Sequence, residues 1–180
     1  IADAAAQLSP ASGAAAARAI MTTDPFPKES SVEASAGGRT FRVGGMAKGS
    51  GMIEPLMATM LGVVTTDAAV APALLQRALK AAVDETFNAI TVDGECSTND
   101  CVFVLANGAS GVELTEKDWP LLVASLTAAC EPLAIGIVRG GEGATKLITV
   151  RVTGAASNDD ARRRARAIAN SLLVKTAVHG

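Results

Sequence analysis

A threonine hydroxyl is a weak nucleophile unless a base sits beside it, and a threonine at a chain's N-terminus carries that base in its own α-amino group. Ala58-Thr59 stands at the head of an apolar stretch running from Met57 to Thr66. Attack of the Thr59 hydroxyl on the Ala58 carbonyl would give an ester by an N-to-O shift. Hydrolysis of that ester would free Thr59 as a new terminus, with an amine titrating near ~8 and able to accept a proton. The small Ala58 side chain crowds such an attack little. Taken alone, Ala-Thr-Met reads more simply as a buried threonine in a strand.

Two charged residues lie among glycines. Lys48 falls in Gly44–Gly51, a stretch with four glycines in eight positions, and Glu142 follows Gly140-Gly141 and precedes Gly143. A cation on an open backbone can meet a substrate carboxylate, and a loop carboxylate can meet an ammonium group. Either could equally be a solvated turn residue. Thr22 and Thr23 are consecutive on an expected strand, so only one of them can face a given pocket.

The elements that would position these residues follow from local signals. Ser9-Pro10 opens an Ala-rich helix to about Arg18, and Ala19 to Thr23 reads as a short strand broken by Pro25 and Pro27. Gly37-Gly38 turns a hairpin between strands around Val32 and Phe41–Val43. Residues 44–51 read as a loop, because glycine is costly inside regular elements. Met57 to Thr66 reads as a strand covered on both faces. Asp67 and Pro72 open a helix to near Glu85 with an apolar stripe through Leu74, Leu75, Ala78, Leu79 and Ala82. Strands are expected at Ile90–Val92, Val102–Leu105, Leu133–Val138 and Leu147–Val152. Thr115 starts a helix through Leu121, Leu122, Leu126 and Cys130, and Ser157 caps a last one bearing Arg162, Arg163, Arg164 and Arg166. Helices alternating with strands, without repeats or a linker, predict one α/β layered domain over 1–180.

Composition narrows the function. Of 180 residues 49% are hydrophobic, enough for one core, and a net charge of -2 from 16 basic and 18 acidic residues offers no field for nucleic acid or an anionic membrane. The arginines at 162–166 read as a solvated helix face. Cys96, Cys101 and Cys130 are odd in number and lack zinc-type pairs, and His179 is the single histidine, which suggests a reducing, cytoplasmic setting without disulfides or a metal site. His179 has no visible triad partner. Neither glycine loop matches GxxxxGK[ST] or GxGxxG, so a nucleotide-binding reading is weak. A start at Ile1 and a stop just after an ordered segment suggest a chain incomplete at both ends.

The blocks AKGSGM (47–52) and ATML (58–61) resemble the hallmark loop and cleavage site of the ornithine acetyltransferases, also called glutamate N-acetyltransferases. Further similar blocks are AIMTTD (19–24), FNAITVDGECSTND (87–100), GEGATK (141–146) and ANSLLVKTAVHG (169–180), in family order. The resemblance implies an α/β layered sandwich of the type shared with self-cleaving aminopeptidases, cut between Ala58 and Thr59. It implies acetyl transfer from N2-acetyl-L-ornithine to L-glutamate through acetyl-Thr59, in some relatives also from acetyl-CoA, within arginine biosynthesis and without cofactor or metal. It assigns substrate binding to Lys48, Glu142 and one of Thr22 and Thr23, with Thr22 preferred. It implies that the two cleavage pieces stay packed together and assemble as hetero-oligomers of such pairs. An amidohydrolase of the aminopeptidase type, passing the acyl group to water, is the alternative. Departures from the family are Gly140, where an aspartate is usual, and Leu56, where a polar residue is usual. The family's threonine-glycine oxyanion hole is expected upstream of this chain and further substrate contacts beyond Gly180, which would leave the isolated segment inactive.

Overall fold

The structure is a computed structural model that describes residues 1–54, 60–95 and 97–180. The expected scissile pair Ala58 and Thr59, together with Cys96, lies outside the described residues. The chain opens with α1 (Ala2–Ala6), a 3-10 turn at Pro10–Ser12 and α2 (Gly13–Ala19). Ser9 caps as expected, its Oγ accepting from Ala11 N at 3.2 Å, but what it caps is the 3-10 turn rather than a continuous helix.

Strands β1 (Lys28–Ala36) and β2 (Arg39–Lys48) form the expected hairpin about Gly37-Gly38, whose φ of 56° and 76° only glycine adopts freely. β3 (Leu61–Thr66) pairs antiparallel with β2, while β5 (Cys101–Ala106) pairs parallel with β3, giving the order β1-β2-β3-β5. Parallel neighbours need a crossover. The chain supplies it through β4 (Ala69–Val70), the predicted α3 (Pro72–Glu85) and a 3-10 turn at Phe87–Ala89. β6 (Glu113–Leu114) pairs with β4 as a separate two-stranded sheet. Then follow α4 (Trp119–Arg139), α5 (Asn158–Ala169) and α6 (Leu172–His179).

The inner face of the sheet presents Phe41, Val43, Ala47 and Val64 to α3 and α4. From α4 come Leu122, Leu126, Cys130, Leu133 and Ile137, all fully buried; each such leucine stabilises by roughly 1.5–3 kcal/mol on burial. Burial pushes the Cys130 thiol up to about 11, so it is an inert core group. The stretch Glu116–Arg139 is long and apolar enough to cross a membrane, yet its apolar stripe is packed against the sheet as a core helix. On the outer face Leu61, Phe103 and Leu105 remain exposed; register places 61, 63 and 65 beside 101, 103 and 105 on that side.

Several expectations are corrected. Leu133–Val138 is not a strand but the continuation of α4, which runs through Pro132. The spacing Leu126, Cys130, Leu133, Ile137 keeps helical period, and burying that stripe outweighs one lost hydrogen bond. Residues 44–48 are not loop but the end of β2. There glycine makes room rather than a turn: a Cβ on Gly45 would lie 3.0 Å from Leu133 Cδ1 and 3.3 Å from the Val63 carbonyl. Ala19 to Thr23 is no strand, since Ala19 ends α2 and the Thr22 N–H turns to the Asp24 carboxylate at 3.3 Å. Ile90–Val92 joins no ladder among the described residues; its Val92 N–H donates to the Ile53 carbonyl at 2.8 Å. Leu147–Val152 forms no described strand, and α6 was not expected.

Candidate functional site

Lys48 ends β2 and is only 7% exposed, and its Nζ donates to Thr22 Oγ1 at 3.1 Å. Thr22 lies 26 residues upstream, in the irregular segment after α2, so the fold brings together two residues singled out separately in the sequence. Of the two adjacent threonines, Thr22 is the one that meets Lys48.

Beneath this pair is Asp24, whose Oδ1 accepts from Lys28 Nζ at 2.5 Å and from Gly49 N–H at 2.7 Å, while Oδ2 accepts from Thr22 N–H at 3.3 Å. Burial works against the Asp24 charge. The bonds from Gly49 N–H, Lys28 and Thr22 N–H outweigh it, and the carboxyl is held below the usual carboxylate value. The Lys28 ammonium also stands 5.0 Å from the Phe26 ring centroid.

Glu142 arrives from the end of α4. Ser50 Oγ donates to the Gly140 carbonyl at 2.6 Å, and the Glu142 N–H returns to the Ser50 carbonyl at 3.0 Å. A Cβ on Gly51 would meet the Glu142 carboxylate at 3.1 to 3.3 Å, so the second glycine of the 49–51 turn lets that carboxylate lie over the backbone. Cation, hydroxyl and carboxylate from three segments thus converge around residues 48–51. Chemically they can hold a zwitterionic substrate by its carboxylate and its ammonium.

The segment following the turn is pinned from the other side. The Asp93 carboxylate accepts from Met52 N–H at 2.7 Å and Ile53 N–H at 3.0 Å, and Met52 takes a φ of 53°, unusual for a residue with a Cβ. Glu54 Oε1 accepts from Asn170 Nδ2 at 2.9 Å, and Met60 N–H donates to Asp100 Oδ1 at 2.5 Å. Both flanks of residues 55–59 are therefore fastened by polar side chains. A cavity of about 590 Å³ lies against these flanks, bordered by Ile53, Glu54, Met60, Phe87 and Asp100. A second, of about 760 Å³, has Glu142, Lys146, Arg166 and Lys175 on its walls. Neither of these two cavities includes Lys48 or Thr22.

Asp24, Lys28, Ser50 and Asp93 escaped the sequence reading. Asp24 and Lys28 carried a faint signal, an acid and a base four apart beside the threonine pair. The arginines of α5 are not a uniformly solvated face: Arg162 donates to the Asp84 carbonyl at 2.5 Å and Arg166 to the Asn88 carbonyl at 2.9 Å. His179 Nδ1 lies 3.2 Å from Thr145 Oγ1. Among the described residues no group of three or more His, Cys, Asp or Glu could hold a metal ion.

Comparison with known proteins adds an independent line. A family profile described as the ArgJ family matches residues 1–180. The chain is 57% identical over 180 residues to the arginine biosynthesis bifunctional protein ArgJ of Symbiobacterium thermophilum, covering 98% of this chain and 45% of that protein. It is 56% identical over 165 residues to the protein of the same name from Bacillus subtilis, covering 90% and 41%. The crystal structure of the arginine biosynthesis bifunctional protein from Bacillus halodurans superposes with a TM-score of 0.63 at 52% identity, over 66% of this chain and 57% of that one. The chain thus spans less than half the length of these curated relatives.

Proposed function

The chain belongs to the ArgJ family, and from that premise we propose that the complete protein is a self-cleaving acetyltransferase that moves an acetyl group from N2-acetyl-L-ornithine to L-glutamate. The observation that carries the reading is the convergence of Lys48, Thr22 and Glu142 around one short turn, a few residues before Ala58-Thr59. Their charges complement those of the α-amino acids that this reaction would exchange.

In this reading the Thr59 hydroxyl first attacks the Ala58 carbonyl, the peptide nitrogen leaves as the Thr59 amine, and water cleaves the resulting ester. The freed amine then takes the proton from the Thr59 hydroxyl as it attacks the acetyl carbonyl of the donor. Collapse of the tetrahedral adduct breaks the amide bond and expels the ornithine amine, which takes up that proton. The glutamate amine attacks acetyl-Thr59, releases N-acetylglutamate and restores the hydroxyl. Lys48 would hold the substrate α-carboxylate and Glu142 a substrate ammonium group, with Thr22 orienting the Lys48 ammonium. The anchored flanks at Ile53-Glu54 and Met60 fix the two points between which the scissile pair lies, which supports intramolecular attack.

We further propose the layered sandwich for the complete protein. The exposed row of Leu61, Phe103 and Leu105 supports it, since an apolar outer sheet face is the side on which a second sheet packs. The two cleavage pieces would then remain associated through the β2–β3 pairing, which joins residues on either side of the cut.

Expression of the complete protein tests the proposal. It should run as two pieces on a denaturing gel, the downstream one beginning Thr-Met-Leu-Gly, and should gain one acetyl group there when exposed to N-acetylornithine without acceptor. Thr59→Ala should remain one folded, inert piece. A complete protein that stays uncut yet transfers acetyl groups normally refutes the mechanism.

A further inference from the structure

We propose that the buried Asp24–Lys28 ion pair is the positioning device of the site, setting Thr22, Lys48 and Glu142 at their working separation; this rests on the substrate-binding reading above. The pair is sealed from water, with side chains 0% and 1% exposed. A buried ion pair is a poor stabiliser, because desolvation offsets most of the attraction and apolar replacements often fold as well. Its place in the fold suggests another role. One Asp24 carboxylate binds the N–H of Gly49, directly after Lys48, and the N–H of Thr22 itself. Its ion-pair partner makes the third connection. The Lys28 stem passes a notch left by two glycines one helical turn apart: a Cβ at Gly136 would lie 3.2 Å from Lys28 Cγ, and one at Gly140 would lie 3.3 Å from Lys28 Nζ. The Gly140 carbonyl receives the Ser50 hydroxyl, and the Ser50 carbonyl receives the Glu142 N–H. All three binding residues are therefore referenced to one pair of charges that no substrate needs to touch, which makes Asp24 and Lys28 positioning residues rather than catalytic ones.

The test uses the complete, self-processed enzyme. Asp24→Asn and Lys28→Met are compared with Lys48→Ala by melting temperature, extent of cleavage, and kcat and KM for N-acetylornithine. Displaced binding groups should raise KM about tenfold or more in the folded Asp24 and Lys28 variants while kcat moves less than about threefold. A purely structural role predicts lower melting temperature with KM unchanged, and that result overturns the proposal. If KM rises in Lys48→Ala but not in Asp24→Asn, positioning falls and the binding reading stands. If neither moves KM, both fall. Should both pair variants fail to fold, Gly136→Ala replaces them, since its Cβ would meet Lys28 Cγ at 3.2 Å without removing a charge. A raised KM at near-parental melting temperature then supports positioning, and an unchanged KM overturns it.

Discussion

The two halves of the candidate site are built by opposite means. On one side Lys48 is 7% exposed and stands beside buried Asp24, Lys28 and Ser50, each with a hydrogen-bonded partner. On the other, Glu142 is exposed, the chain from 143 to 157 runs without regular structure, and α5 and α6 contain no buried residue. Those two helices are held by side chains reaching backbone, Arg162 to Asp84, Arg166 to Asn88 and Lys175 to Val92, rather than by a core. The contrast follows from the cost of burying charge. An ammonium taken out of water must be surrounded by fixed partners, and those partners make its position rigid. A carboxylate left in water costs little and can sit on a loop, so its position depends on two links to Ser50, one from the Ser50 hydroxyl to the Gly140 carbonyl and one from the Glu142 N–H to the Ser50 carbonyl.

This contrast places the largest expected effect on the rigid side. Lys48→Ala in the complete enzyme should lower kcat/KM by roughly 2–4 kcal/mol, as for loss of a charged contact. Steady-state kinetics with N-acetylornithine check this, and parental values would remove Lys48 from the site. Glu142→Gln should cost less, roughly 1.5–3 kcal/mol and chiefly in KM, because an exposed carboxylate makes its contact mainly on binding. A loss exceeding that of Lys48→Ala would invert the comparison. Arg166→Ala should destabilise by only about 0.5–1.5 kcal/mol, since it removes a partly exposed hydrogen bond to Asn88 and a 3.7 Å ion pair with Glu54. Hydrogen exchange should quicken first in α5 and α6 and leave β2 protected; uniform exchange would mean that the C-terminal helices are no looser than the body.

The smallest effect is visible only in acid. Asp24 is held below its ordinary value of 3.8 in the folded chain, so its contribution is fully present above that value. It is lost as pH falls through the lower folded value, where the native state must also take up the proton. Asp24→Asn should therefore flatten stability against pH in this acid window while changing little of the slope near neutrality. Denaturant melts between pH 2 and 5 measure it, and an unchanged acid slope would mean that the pair is not charged as described.

Local signals settled much of this chain. Gly37-Gly38 announced the β1–β2 hairpin, the Leu74-to-Ala82 stripe announced α3, and Ser157 announced α5, whose Asp160 N–H it receives at 3.1 Å. The proposed binding residues were singled out by resemblance, in the blocks around Thr22, Lys48 and Glu142, and the fold adds the contact between Lys48 and Thr22. Local reading failed where distant packing decides. Leu133–Val138 read locally as a strand, yet the stripe from Leu126 to Ile137 gained more by staying helical through Pro132 against the sheet. The glycines at 44 and 45 spoke for a loop, yet their lack of a side chain serves a strand pressed against neighbouring groups, Leu133 at 3.0 Å from a Cβ on Gly45. What no sequence window could contain was the choice of anchor: an aspartate four residues from a lysine is ordinary until Gly49 and the Gly136–Gly140 notch close over it, because only the folded chain determines which charges lose their water.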